Sequence, residues 1–128
     1  MNRKLYSSGT TWEDKAGYSR AIRVGNTIEV AGTTAVVDRA IQWPGNASKQ
    51  LEVIIRKMEE AIKHLGGSLT DVVRTRMYLT DMGQAEAVME VHGHYFMDIR
   101  PAASLIGVTR LVHPDLVIEV EMTAILTP

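Results

Sequence analysis

The stretch DLVIEVEMTAIL, residues 115–126, leaves this chain few architectures to choose from. Leu116, Ile118, Val120, Met122, Ala124 and Leu126 alternate with Val117, Glu119, Glu121, Thr123 and Ile125, the period-2 pattern of a β-strand. The first set is apolar throughout and predicts a face packed on a core. The second set carries glutamates and a threonine between apolar ends. Such a face is either a solvated sheet surface or the wall of an interface or cleft, and its apolar ends favour the second.

The layer that covers the apolar face is visible upstream. Leu51, Ile54, Ile55, Met58, Ala61, Ile62 and Leu65 recur at the i, i+3, i+4, i+7 spacing of an amphipathic helix. Asn46 and Ser48 are the candidate N-caps, and Gly66-Gly67 is a fitting stop. A second helix is predicted from Gln84 to Met97, with Ala85, Val88, Met89, His92, Tyr95 and Phe96 on or near its buried stripe and Pro101 closing it.

Between and around the helices lie β-rich runs. AIRVGNTIEVAG (residues 21–32) suits a hairpin turning at Gly25-Asn26, and VVRTRMYLT (72–80) reads as a strand. In that strand Val73, Thr75, Met77 and Leu79 form one face and Arg74, Arg76 and Tyr78 the other. ASLIGVTRL (103–111) and the opening stretch supply two more strands, joined by a turn at His113-Pro114-Asp115. TTAVVDRAIQWPGN (33–46) reads as an irregular connection, SLTDV (68–72) as a short turn, and Arg3–Tyr6 as an optional first strand. The order β-β-α-β-α-β-β predicts an α+β sandwich, two helices on one face of a mixed sheet. With both helices on the Ile118 face, the Glu119/Glu121 face and its neighbours Arg74, Arg76 and Tyr78 are left open.

Composition narrows the function classes. The 128 residues, with no repeat or linker, are expected to form one domain spanning 1–128. Fourteen basic against 15 acidic residues, a net charge of −1, give no electrostatic reason for a nucleic-acid or membrane partner. No cysteine is present, which excludes thiolate chemistry and disulfides. The N-terminal MNRKLYSSGTTWEDKAG lacks the apolar run of a signal peptide, and no segment nears the roughly 20 residues of a membrane span, so a cytoplasmic location is expected. No metal site is predicted: His92 and His94 are spaced i, i+2, which on a helix points them apart, and His64 and His113 have no partner at usable spacing. No phosphate-cradling glycine loop or nucleophile elbow appears, and no cofactor is expected.

Several segments together resemble the RidA/YjgF family, also called the endoribonuclease L-PSP family. AGYSRA (16–21) is similar to its Gly-Pro-Tyr-Ser-Gln-Ala segment, VAGTT (30–34) stands where it has Ser-Gly-Gln, and DVVRTRMYLTDM (71–82) is similar to its Asp-Val-Val-Lys-Thr-Thr-Val-Tyr strand. RPAASLIGVTRL (100–111) matches a Pro-Ala-Arg-Ser strand, and VIEVEMTAI (117–125) the terminal Val-Glu-Ile-Glu-Ala-Ala. The match is collinear over about residues 16–126. The resemblance implies a chorismate-mutase-like fold, a homotrimer whose sheets close a central barrel, and a small-metabolite cleft at each subunit junction. It implies cofactor-free hydrolysis of reactive enamines and imines to ammonia and a 2-keto acid. It also puts Glu119 and Glu121 on the intersubunit side, with Glu121 positioning or activating water.

Imine hydrolysis needs a proton on nitrogen, a water at carbon and a grip on the substrate. A carboxylate beside an apolar wall can be tuned toward acid–base work, which suits Glu121; the alternative is an interface glutamate paired with a cation such as Arg76. Tyr18 matches the family's cleft tyrosine, or is an ordinary boundary tyrosine. Gly32, after a strand, either lets backbone amides approach a ligand or makes a tight strand exit. The chain departs from the family at Ala103, where the Pro-Ala-Arg-Ser arginine grips the substrate carboxylate. Two charge-assisted bonds of about 1.5–3 kcal/mol each are lost there, worth roughly two orders of magnitude or more in affinity. Met89 replaces a cleft asparagine, and Leu105 lines the same wall. His92, one turn after Val88, is either a ligand group or structural; Arg76 is the candidate replacement cation, while Arg100 is expected to face solvent.

Overall fold

A computed structural model of the chain describes residues 2–127. The strand predicted at 116–126 is observed as β8, Ile118–Ile125, in the middle of a six-stranded sheet. With β1 (Arg3–Tyr6), β2 (Ala21–Val24), β3 (Thr27–Thr33), β6 (Val72–Leu79) and β7 (Ala102–Gly107), the sheet order is β1-β2-β3-β8-β6-β7. All pairs are antiparallel except β6 with β7. That parallel pair needs a crossover, which is supplied by the second long helix, α3 (Ala85–Phe96).

The helix stripe packs as its spacing demands. In α2 (Ala47–His64), Leu51, Ile54, Ile55, Met58, Ala61 and Ile62 are buried against the sheet. Asn46 is the N-cap, its side chain accepting from the Lys49 amide at 3.1 Å, and Gly66 takes a φ of +96° after the last turn. The opposing face of β8, Ile118, Val120, Met122 and Ala124, is fully buried beneath it. Glu119, Glu121 and Thr123 are half-buried and Ile125 exposed on the other side, which no helix covers.

Buried polar groups tie the loops to this frame. Gln50, 0% exposed on α2, donates to the carbonyls of Gln42, Trp43 and Asp115 at 3.2, 3.0 and 2.8 Å, and accepts from the Val117 amide at 3.0 Å. Two amide protons serve three carbonyls, so one bond is shared. Lys57 donates to the carbonyls of Thr34 and Val36 at 2.8 and 2.7 Å. Glu13 is buried and accepts from Ser8 and Thr10. Burial works against its charge, yet the bonds from Ser8, Thr10 and Ser7 hold its pKa at about 2.

Five details differ from the sequence reading. Val117 is buried, not on the open face, because its amide is spent on Gln50 before the strand begins. Val73 is exposed, because the β6 register slips between Val72 and Arg74 and Val72 takes the core place. The connection at 33–46 contains a hairpin of β4 (Val36–Val37) and β5 (Ala40–Ile41), turned by Asp38 and Arg39 with φ of 51° and 69°. A short helix, α1 (Thr11–Ala16), stands where no element was predicted. Strand β7 ends at Gly107 instead of running to Leu111.

Gln50→Leu tests the loop anchoring and Ile55→Ala the core. Ile55→Ala is expected to cost about 2–5 kcal/mol. Gln50→Leu is of similar volume but orphans buried backbone groups at about 1–3 kcal/mol each, and should cost about 3 kcal/mol or more. Urea denaturation of both variants checks this; a loss below ~1 kcal/mol in either would place that side chain outside the core it is assigned to.

Candidate functional site

The open face of the sheet is built by strand alternation. On β8 and β6, Glu119 lies across from Tyr78, and Glu121 across from Arg76; Arg76 in turn faces Ser104 of β7. The Tyr78 hydroxyl donates to Glu121 Oε1, and this bond to the carboxylate is the main reason the phenol pKa is raised. Glu121 lines both depressions of this face. One, of about 330 Å³, is shared with Ser19, Ile22, Glu29 and Arg76; the other, of about 290 Å³, with Tyr78, Arg110, Leu111 and Glu119. No ion pair within 4 Å joins Glu121 to Arg76 among the described residues.

Gly32 lies inside β3, not after it, where the pairing with β8 shifts between Val30 and Thr33. Its missing side chain makes room for Glu119: a Cβ at Gly32 would overlap Glu119 Oε2. This close approach crowds the half-buried Glu119 carboxylate and removes part of its hydration. Burial pushes its pKa up, Arg20 pulls it down, and Glu121 pushes it up again, for a net rise. Glu119, for which the resemblance implies only a place on the intersubunit side, is thus a carboxylate whose surroundings raise its pKa.

Arg20 completes this corner. Its Nη1 donates to the Gly32 carbonyl at 2.8 Å and to Thr33 Oγ1 at 3.3 Å, and its guanidinium carbon sits 5.5 Å from the centre of the Tyr18 ring. Tyr18, half-exposed, thus joins Gly32 and Glu119 through Arg20. Neither Arg20 nor Tyr78 was singled out as a site residue. The usable signals were an arginine two residues after Tyr18 and the face shared by Tyr78 and Arg76.

The remaining candidates lie elsewhere. Ala103 pairs with Thr75 and Leu105 with Met77, so both belong to the helix-covered side of the sheet at its β7 edge. Met89 is exposed on α3. His92 is buried, not offered to a ligand: its Nε2 is 2.8 Å from the buried Thr75 hydroxyl, its ring lies 4.7 Å from that of Phe96, and burial pushes its pKa down. A single chain therefore brings Tyr18, Gly32, Arg76 and Glu121 to one region, and leaves Met89, Ala103 and Leu105 at another. Among the described residues no group of three or more His, Cys, Asp or Glu side chains is arranged to hold a metal, and no helix is long and apolar enough to cross a membrane.

The raised pKa of Glu119 has a stability consequence. Below the ordinary value of 4.5 the group is neutral folded and unfolded, and nothing is lost. As pH rises through the folded-state pKa, ionising the crowded carboxylate costs stability. Glu119→Gln should therefore melt higher than the parent at pH 7, with the difference shrinking as pH falls below about 4.5. Thermal melts of both proteins across pH 3.5–7 check this, and a lower melting point for the variant at neutral pH would reverse the assignment.

Comparison with known proteins agrees with this architecture. Residues 8–126 match the family model described as endoribonuclease L-PSP. A RutC family protein of Pyrococcus abyssi is 34% identical over 108 residues, 84% of each chain. A protein of Acinetobacter baylyi named 3-aminoacrylate deaminase RutC is 29% identical over 110 residues, 85% of this chain and 86% of that one. The crystal structure of a Mycobacterium tuberculosis member of the YjgF/YER057c/UK114 family superposes with a TM-score of 0.89 at 39% identity, covering 98% of this chain and 100% of the other. With its six-stranded sheet and its helices on one face, the chain belongs to the endoribonuclease L-PSP family, the YjgF/RutC group of proteins.

Proposed function

We propose that this protein is a cofactor-independent hydrolase of small reactive imines or enamines, working in a cleft completed by neighbouring copies in a homotrimer. The observation that carries the reading is the pairing of two carboxylates with different environments on one open face. Glu121 is held by the Tyr78 hydroxyl beside open depressions, and Glu119 is pressed over Gly32, where burial favours its proton. Environments that separate two carboxyl groups in this way suit one for giving a proton and the other for steering a water.

In the proposed reaction the substrate nitrogen takes a proton, and Glu119 is the candidate donor because its surroundings raise its pKa. Water oriented by Glu121 attacks the imine carbon and passes a proton on. The carbinolamine then breaks its C–N bond, so that imine and water become ketone and ammonia. An enamine enters the same path after protonation at carbon gives the imine.

The shared cleft is supported by the separation of the two residue groups. Met89, Ala103 and Leu105 stand at the helix-covered edge, and Glu121 and Arg76 on the opposite face. One cleft using both needs a second chain. Ala103 offers no fork for a substrate carboxylate, which makes an orthodox 2-aminoacrylate deaminase the less favoured form of the reading. The same alanine favours the second reading, a trimeric metabolite binder without turnover.

Ammonia release from 2-aminoacrylate, 3-aminoacrylate and neutral enamines, generated in the assay, decides between these. Glu121→Gln should sediment as a trimer like the parent yet lose at least tenfold in turnover. Unchanged turnover would remove Glu121 from the chemistry, and absence of turnover on every substrate would leave the binder. Ala103→Arg should raise kcat/KM on 2-aminoacrylate by roughly ten- to a hundredfold, within the range of a restored fork. No gain there would mean that residue 103 does not face the substrate.

A further inference from the structure

We infer that Arg20 is the anion anchor of this site: its guanidinium binds the carboxylate of the substrate, doing from the Tyr18 and Gly32 wall what Ala103 cannot do from β7. The inference rests on the reading of the open face as the substrate site, and it revises the expectation drawn from Ala103 alone: with Arg20 as the grip, the substrate class is a carboxylated imine or enamine.

Four observations carry it. The first is that the guanidinium is fixed before any ligand arrives. Nη1 is committed to the Gly32 carbonyl and Thr33 hydroxyl, and the group is backed by the Tyr18 ring. An arginine held this way gives up little freedom when it binds. The second is that its hydrogen-bonding capacity is unfilled. Nε is buried without a partner, and Nη2 makes no hydrogen bond among the described residues. Buried donors of a charged group are normally satisfied, so a missing acceptor is informative. Nη2 is the donor that an incoming carboxylate meets, with Nε, closed to water in the free chain, beside it.

The third observation is an excess of positive charge. No ion pair within 4 Å involves Arg20 among the described residues. Lys57 is close enough that Arg20 disfavours its charge: burial first, and then this repulsion, push the Lys57 pKa down to about 8. Two neighbouring cations held on backbone carbonyls make a place that an anion would relieve. The fourth concerns Glu119, the one carboxylate of the corner that could quench Arg20. Burial and Glu121 raise its pKa while Arg20 lowers it, and it makes no ion pair within 4 Å of the guanidinium among the described residues.

The geometry also orients the substrate. Arg20 is tied to Gly32, which touches Glu119, and Glu121 lies two residues further along β8, about 7 Å away. A carboxylate on Arg20 therefore places the substrate at the Gly32–Glu119 corner, one outward strand position from Glu121.

Pyruvate, a carboxylate resembling the product of such a hydrolysis, and its neutral amide pyruvamide are the probes, titrated into the full-length protein and followed by amide chemical shifts. The parent should bind pyruvate at least tenfold more tightly than pyruvamide. Arg20→Gln should weaken pyruvate at least tenfold while leaving pyruvamide unchanged, and Arg20→Lys should keep part of the preference. Thermal melts accompany each titration; if Arg20→Gln does not fold, Arg20→Lys decides through the same pyruvate-to-pyruvamide ratio. The inference is overturned if the parent does not bind pyruvate, if Arg20→Gln binds it as well as the parent, or if both probes weaken equally with a fallen melting point, which would mark Arg20 as a support for the β3 irregularity. Arg20-dependent pyruvate binding without turnover of any imine would sink the hydrolase reading and leave the anchor standing. Turnover unaffected by Arg20→Gln and indifferent to substrate charge would do the reverse.

Discussion

The buried amide of Gln50 fixes where the central strand begins, and the site follows from that. It holds the Asp115 carbonyl and the Val117 amide on either side of Leu116, while also gripping the 42–43 segment. Strand register has a period of two, so a slip of one residue would exchange every side chain between faces. With Val117 pinned to the helix, Ile118 enters the sheet facing the core, and Glu119 and Glu121 must face away. An apolar residue at position 50 would fill the space but lose the instruction. The polar group is tolerated in the core because both its amide donors and its carbonyl are hydrogen-bonded.

The open face is arranged around the absence of a side chain at Gly32. Most strands exclude glycine because it weakens them; here its place at an irregularity allows the close approach of another residue's functional group. Glu119 occupies that space and is crowded and desolvated in it. The same irregularity turns the Gly32 carbonyl toward Arg20. One backbone feature thus puts a carboxylate whose proton is favoured beside a guanidinium with donors to spare, and it does so at the end of a strand whose next outward residue is Glu121. Stability is given up locally at Glu119, and the large apolar layer between α2 and the sheet offsets it.

Much of this was legible in the sequence wherever periodicity was strong. The α2 stripe and the β8 alternation predicted which residues are buried, because each pattern repeats long enough to exclude the other period. What was not legible depended on contacts remote in sequence or on local backbone exceptions. Val73 and Val117 fit the alternation on paper, but a register shift and a side-chain bond from α2 reassign them. The six-residue α1 depends on Glu13 gathering Ser8 and Thr10, not on propensity, and the β4–β5 turn uses Asp38 and Arg39 where glycine or asparagine would have announced it. At the candidate site, Glu121 and Tyr18 are named by the resemblance, not by periodicity or spacing. Glu119 and Arg20 needed the fold, because their significance lies in what Gly32 allows across three separate segments.

The distribution of the candidate residues bears on how such a site can vary. The two walls of the proposed cleft come from different faces of the sheet, one built on β3 and β8, the other on the edge of β7 with α3. Changes at the β7 wall, such as Ala103 and Met89, leave the buried layer untouched, since both side chains are exposed. Changes at the β3–β8 wall act on Gly32, Glu119 and Arg20 at once, because these three touch or oppose one another. The first wall is free to alter what is held, and the second is constrained to keep its charges in balance. On the proposed reading, a grip at position 20 in place of one at position 103 does more than relocate it. It would set the bound carboxylate beside Glu119, where its charge adds to that of Glu121 in favouring a proton on the half-buried glutamate.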